Sequence, residues 1–352
     1  WLEIYHFDAL RLDAVHTIKD GSEPHILQEI AQVTKETAFR LGRKLYTIAE
    51  TDENNVKIIN SPEKGGYGID AQWMDDFHHV IHSVLTGEKE GYYQDYGRLE
   101  DLEKVFKNFL YTGEYSHFWQ KKRGTDASAN PGRQFVVCLQ NHDQVGNRGR
   151  GERLSLLVDF PFLKAAAGLL FMTPYIPLLF MGEEYAEKKP FLFFTDYIDQ
   201  KLKKAVSEGR KEEFKGFNWD VFPDPEDDAS FFNSRLTPEA EWKEENKKIL
   251  NFYKDLIALR KKHPALHFLD KDNTQVKVNG RVVEVSRRQK DKKIVGIFNL
   301  GDGEISLKSF SGKQILNSAW EKYGGSLQGS ADFLGRGEMV LLEQHADEIA
   351  AL

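Results

Sequence analysis

At 352 residues, with 40% hydrophobic and 29% charged side chains, the chain has the size and balance of one large globular domain plus a small one. A formal net charge of −7 excludes a broad electrostatic grip on nucleic acid or anionic lipid. The single cysteine, Cys138, excludes an internal disulfide and suits a reducing cytoplasm.

The chain opens in an apolar, β-favouring run over residues 4–13, and no signal peptide is visible in it. Gly21 and Ser22 are expected to open a helix with Pro24 near its first turn. Ile26, Leu27, Ile30, Val33, Thr37, Ala38 and Leu41 recur at helical spacing, and Gly42 closes it. Residues 45–49 read as a second strand and 69–77 as a third. A helix follows over 101–111, then a strand over 135–140, a helix over 162–172 and a strand over 176–181. The apolar stretch 162–181 contains Lys164, Pro174 and Pro177, so a buried helix and strand fit it better than a membrane span. Strands alternating with amphipathic helices predict a parallel sheet with right-handed crossovers. Residues 199–245 read as a charged, irregular surface excursion, and 246–263 as a helix.

After Pro264 the period changes from helical to alternating. Val276 and Val278, the pair Asn279-Gly280, and the run 281–288 predict a hairpin, and 293–298, 304–308 and 338–343 read as further strands. The expected division is residues 1–265 as an α/β unit and 266–352 as a small antiparallel, β-sandwich-like domain.

Asp13, Glu50 and Asp143 each stand at the end of a strand-like run: Leu10-Arg11-Leu12-Asp13, Thr47-Ile48-Ala49-Glu50, and Leu139-Gln140-Asn141-His142-Asp143. In a parallel β/α barrel the strand ends converge on one pocket. Arg11 and Asp13 are two apart and share a strand face. A neighbouring guanidinium would keep Asp13 ionised, as a nucleophile requires. Glu50 follows Ile48-Ala49 and is expected in drier surroundings, where a raised pKa suits a general acid. A retaining glycosidase uses two carboxyls about 5–5.5 Å apart, and a third stabilises the transition state electrostatically. Any one of these acids also has a plain reading as a helix cap or an ion-pair partner. All three, on three strands in order, are much harder to explain as caps. His16 and His142 are placed to donate to sugar hydroxyls.

Arg11-x-Asp13-Ala14-x-His16, Glu50 and Asn141-His142-Asp143 together resemble the motifs of the α-amylase superfamily of glycoside hydrolases. The resemblance covers roughly residues 4–345 and implies Asp13 as nucleophile, Glu50 as acid/base, Asp143 as stabiliser, and net retention at an α-glucosidic centre. Within the superfamily, Trp73-Met74-Asp75-Asp76-Phe77-His78-His79 with His82, Leu85-Thr86-Gly87-Glu88, Gly91-Tyr92-Tyr93-Gln94-Asp95-Tyr96-Gly97 and Asn141-His142-Asp143-Gln144-Val145-Gly146-Asn147-Arg148 resemble the maltooligosyltrehalose trehalohydrolase family. That family hydrolyses the α-1,4 bond next to a terminal trehalose and releases trehalose. The resemblance implies substrate contacts from Arg11, His16, Asp75, Asp76, His78, His79, Tyr93, His142, Gln144, Asn147 and Arg148. Ala9 departs from the family's usual glycine, with little consequence expected.

The implied fold is a partial (β/α)8 TIM barrel, strands four to eight, followed by the antiparallel domain. Five parallel strands cannot close a barrel, so exposed edges, poor stability and weak catalysis are expected of this chain alone, with the barrel's other half as a possible partner. His78, His79 and His82 lack the His-Glu-x-x-His order of zinc hydrolases. A sugar clamp or bracing cluster is expected there, with no metal and no cofactor. A glucan-branching transglycosylase and a non-catalytic glucan-binding fragment are the competing readings.

Overall fold

The computed structural model describes residues 1–213 and 223–345. Its first part runs β1 (Ala9–Leu12), α1 (Ile26–Leu41), β2 (Tyr46–Ala49), β3 (Ala71–Trp73), α2 (Asp76–Thr86) and α3 (Asp101–Val105). A hairpin of β4 (Thr112–Ser116) and β5 (Lys121–Gly124) follows. Then come β6 (Phe135–Cys138), α4 (His142–Gly146), α5 (Leu154–Leu157), α6 (Phe160–Met172) and β7 (Ile176–Leu178).

Strands β1, β2, β3, β6 and β7 form one wholly parallel sheet in that spatial order. One face carries Ala49, Phe135 and Val137 into the large core, where Phe77, Val80 and Ile81 of α2 and Phe106 and Phe109 meet them. Burying side chains of this size stabilises by about 1.5–3 kcal/mol each. The opposite face holds a smaller cluster of Ala71, Trp73 and Val136 with Ile48 and Leu178. Among the described residues, β1 and β7 each pair on one side only.

Helix α1 starts later than expected. Asp20 accepts hydrogen bonds from the Ser22 hydroxyl and from the Ile26 N–H (2.6 Å), so residues 20–25 form a turn and His25 becomes the cap. Gly42, at φ 61°, closes the helix. The expected strand over 69–77 is only three residues long. Phe77, Val80, Ile81 and Val84 recur at helical spacing, so the chain turns into α2 at Asp76, and Gly87 at φ 77° ends it. The three histidines therefore stand on one helix, His82 a turn beyond His78 and His79.

The expected surface excursion contains regular structure: α7 (Gln200–Glu213) and α8 (Asp228–Asn233) precede α9 (Glu244–Lys262) and α10 (Pro264–His267). Asp199 accepts from the Lys201 N–H (2.7 Å) and Asp227 from the Ala229 N–H (2.8 Å), which caps α7 and α8. Residues 214–222 of that excursion and 346–352 of the expected second domain lie outside the described residues.

The remaining strands are β8 (Thr274–Asn279), β9 (Val282–Gln289), β10 (Lys292–Asn299), β11 (Ile305–Ser306), β12 (Lys313–Asn317), β13 (Phe333–Leu334) and β14 (Met339–His345). Five of them form an antiparallel sheet in the order β12-β14-β10-β9-β8, and β11 pairs with β13. Asn279 pairs with Val282, so Gly280 and Arg281 make the hairpin loop, with Gly280 at φ 59°. Strands β12 and β13 had no sequence signal strong enough to name them.

Helix α6 joins the two sheets. A Cβ on Gly168 would lie 2.8 Å from the Met339 side chain and 2.9 Å from Phe298, so only glycine allows this approach. Carbonyls at its C-terminal end are satisfied from later elements: Arg260 donates to Phe171 and Thr173 (2.7 and 2.5 Å), and Arg287 also donates to Thr173 (2.8 Å). Among the described residues, no helix is long and apolar enough to cross a membrane.

Candidate active site

The parallel pairing of β1 with β2 continues past both strands. The Glu50 N–H donates to Leu12 O (2.8 Å), and the Val15 N–H donates to Glu50 O (3.1 Å). Between them Ala14 takes a left-handed turn at φ 42° and donates its N–H to the Glu50 carboxylate (2.6 Å). The Asp13 turn is thereby held beside Glu50. Arg11 links the two acids: Nη1 lies 2.7 Å from Asp13 Oδ1 and Nη2 lies 3.9 Å from Glu50 Oε2. Its guanidinium stacks 4.5 Å from the Trp73 ring centre. The Asp13 side chain is 77% exposed, at the rim, while that of Glu50 is 14% exposed.

Asp143 does not end a strand as expected. Asn141 Oδ1 accepts from the N–H groups of Asp143 (2.9 Å) and Gln144 (3.2 Å), and so starts α4. Asp143 stands in that helix's first turn, with His142 Nε2 3.4 Å from Oδ1. The His142 ring packs edge-on against Trp73.

Glu50, Asp143, Asp75, Gln144, Asn147, His79 and His16 line one hollow of about 250 Å³. Its lining does not include Asp13, Arg11 or His142. His16 Nε2 lies 3.8 Å from Asp52, and Asn147 Oδ1 accepts from Arg210 (2.8 Å). Two carboxyls of this hollow are pushed up: Asp75, to about 8, by burial first and then by Glu50, Asp76, Asp143 and Asp52, and Asp76, chiefly by burial. His79 is pushed down to about 3, chiefly by burial, with His82 and Arg123 adding to it.

Four residues expected at the substrate have other partners. Asp76 touches the hollow but is buried, and it accepts from Tyr96 (2.7 Å), Asn54 (2.8 Å) and the Leu110 N–H (2.6 Å). His78 is bonded at Nδ1 to Leu139 O (2.6 Å) and at Nε2 to the Tyr93 hydroxyl (2.7 Å). A carbonyl only accepts, so Nδ1 carries the proton and Tyr93 donates to Nε2. Arg148 donates to both oxygens of Glu88 (2.7 and 2.8 Å), and Glu88 also binds His82 (2.8 Å). His78, Tyr93 and Arg148 thus brace α2 against the turn at 91–95 and against the segment after α4, behind the wall.

The other wall went unread in the sequence. Asp52, Asn54, Asp95, Tyr111, Ser116, Trp119 and Arg123 line it, several of them from the β4–β5 hairpin. Asp95 fixes the hairpin turn by accepting from Ser116 (2.7 Å), His117 and Phe118. Arg123 donates to the Asp52 carbonyl and stacks 4.8 Å from the Trp119 ring. The cluster of Tyr111, Tyr115, Phe118 and Trp119 before three basic residues was the available signal. Among the described residues, no group of three or more His, Cys, Asp or Glu side chains is arranged to hold a metal ion. Glu50 and Asp143 both line the hollow, with Gln144 and His79 beside them, and Arg11 joins Glu50 to Asp13 at its rim.

No family model matches the chain. It is 48% identical over 264 residues to the malto-oligosyltrehalose trehalohydrolase of Saccharolobus solfataricus, covering 75% of this chain and 44% of that protein. The Deinococcus radiodurans protein of that name is 38% identical over 364 residues, covering 97% of this chain and 56% of its own length. The crystal structure of a protein assigned as an alpha amylase from Salmonella typhimurium superposes with a TM-score of 0.84 at 33% identity, over 98% of this chain and 58% of that one. An Anoxybacillus alpha-amylase, at 18% identity and a TM-score of 0.58, shares the fold. The chain spans about half the length of the curated relatives it matches. It is a relative of the malto-oligosyltrehalose trehalohydrolases with an α-amylase-like α/β fold, a parallel sheet followed by antiparallel sheets.

Proposed function

We propose that this chain supplies the catalytic side chains of a retaining glycoside hydrolase that cleaves the α-1,4 bond next to the terminal trehalose of maltooligosyltrehalose. The reading rests on one observation: Glu50 and Asp143 face the same hollow, and Arg11 ties Glu50 to Asp13. Glu50 protonates the departing glycosidic oxygen while Asp13 attacks the anomeric carbon. Water then displaces Asp13 with Glu50 as base. Asp143 stabilises the oxocarbenium-like charge. Substrate contacts come from His16, Asp75, His79, Gln144 and Asn147 in the hollow, and from Arg11 and His142 at its rim.

In the same reading β1, β2, β3, β6 and β7 are strands four to eight of a (β/α)8 barrel. The one-sided pairing of β1 and β7 and the small apolar cluster between them support closure by further strands. The polypeptide then divides near residue 265, and its compartment is the cytoplasm, which the lone buried thiol of Cys138 suits.

A branching transglycosylase shares these acids, and one from Lactobacillus acidophilus is 23% identical over 350 residues. The far higher identity to trehalohydrolases favours water as the acceptor. The test is product analysis with maltotriosyltrehalose and amylose. Trehalose is the expected product, and Glu50→Gln should cut its release by about 10²–10⁴-fold. Branched product from amylose, or release unaffected by the substitution, refutes the proposal.

A further inference from the structure

Asp75 sits at the N-cap of α2, where an aspartate ordinarily accepts a hydrogen bond from the helix's first turn. Its side chain makes no such bond. It faces the hollow instead, and its one hydrogen bond is a long one from Gln144 Nε2, 3.4 Å from Oδ1. Among the described residues no cation lies within ion-pair distance of it. Its surroundings are acidic: Glu50 and Asp52 from beyond β2, Asp76 from its own helix, and Asp143 from α4. Gln144, Tyr92 and His79 complete them. Arg123 on the far wall is paired with Asp52, 3.5 Å away. His79, one turn along α2, is held neutral by burial, and among the described residues its buried Nδ1 has no hydrogen-bond partner. It supplies no compensating charge. An ionised Asp75 would place a further negative charge in this acidic cluster, with no cation among the described residues to pair with it.

We propose that Asp75 works as a neutral carboxylic acid, one oxygen held by Gln144 and the other donating a hydrogen bond to an oxygen of the bound α-glucoside. This deepens the proposed function and rests on it for the identity of the sugar. Burial and the neighbouring acids, which hold its proton up to about pH 8, support the geometry. Losing that proton removes the donor and adds a charge, so sugar affinity falls on the alkaline side. Asp75 acts here as a substrate-binding residue, and its signature is in binding.

Trehalose, the product of the proposed reaction, is the probe. Its dissociation constant is measured by titration calorimetry at pH 6.5 and pH 9.5 for the chain, Asp75→Asn and Asp75→Ala. An asparagine keeps a donor at every pH. The native chain should bind at least tenfold more weakly at pH 9.5. D75N should stay within about threefold of native pH 6.5 affinity at both values, and D75A should bind weakly at both. Difference infrared spectra of the chain minus D75N should show a protonated-carboxyl stretch at pH 6.5 that is gone at pH 9.5. A missing band, pH-independent native affinity, D75N as weak as D75A, or no binding of trehalose overturns the proposal. A trehalose-binding chain with this pattern that fails to cleave maltotriosyltrehalose would refute the proposed reaction and leave the neutral acid standing.

Discussion

Removing the Glu88 carboxylate tests the bracing behind the active-site wall. Glu88 receives two hydrogen bonds from Arg148 and one from His82, and its side chain is 26% exposed. Burial raises its pKa, but the bonds from Arg148 and His82 outweigh burial and hold it at about 2, from an ordinary 4.5. At about 1.4 kcal/mol per tenfold change in proton affinity, the ionised carboxylate contributes about 3 kcal/mol. Because the folded pKa is depressed, this contribution is complete above about pH 4.5 and is lost as pH falls towards 2. Glu88→Gln keeps the shape and removes the charge, leaving the 7% exposed Arg148 side chain with Glu152 at 3.5 Å as its remaining carboxylate. Urea unfolding at pH 7 should show a loss of about 2–3 kcal/mol, shrinking at pH 3. Converting Arg148 to Met in the same chain should recover more than half, since the buried guanidinium that lost its two-oxygen partner is then gone. A loss under about 1 kcal/mol at pH 7, a loss equal at both pH values, or simple additivity in the double variant refutes the reasoning.

Tyr96→Phe removes one of the three donors to Asp76, and chemical denaturation should show a cost of about 1–3 kcal/mol; a cost near zero would contradict the bracing role. Gly132→Ala would put a Cβ 2.0 Å from Pro174 O and 2.9 Å from Leu269 O, so it should lower the melting temperature by a cost of about 1–3 kcal/mol. Gly209→Ala, with open space around it inside α7, should raise it slightly or leave it unchanged. Glu183 is pushed up to about 8 by burial, against a hydrogen bond from Tyr253. A raised carboxyl favours the folded state less as pH climbs from about 4.5 through 8, so Glu183→Gln should gain stability relative to the native chain between pH 6 and pH 9. Denaturation midpoints that shift in parallel would contradict this.

What could be read from the sequence followed periodicity and caps. The 3.6-residue pattern from Ile26 to Leu41 and its closing Gly42 gave α1 to within a few residues of its end, and the alternation around Asn279-Gly280 gave the β8–β9 hairpin. The run 69–77 misled because its apolar residues fit both periods, and only Val80, Ile81 and Val84 further on separate helix from strand. Asp13, Glu50 and Asp143 could be named because each follows an apolar strand. Their unequal depths could not, since these depend on the left-handed turn at Ala14 and on Asn141 capping α4. The hairpin wall with Trp119 and Arg123 is set by Asp95, some twenty residues earlier, a contact no local pattern carries. The raised carboxyl of Asp75 could not be read either, because its burial and the crowding of four other acids are properties of the assembled hollow.

In the proposed reaction one sugar is reached by acids from three separate segments. A crystal structure of the Glu50→Gln variant with maltotriosyltrehalose bound would test this directly. The scissile oxygen is expected within hydrogen-bonding distance of the side chain at position 50, with the anomeric carbon facing Asp13 and Asp143 against the same ring. A sugar bound in the hollow with Asp13 out of reach of its anomeric carbon would contradict it.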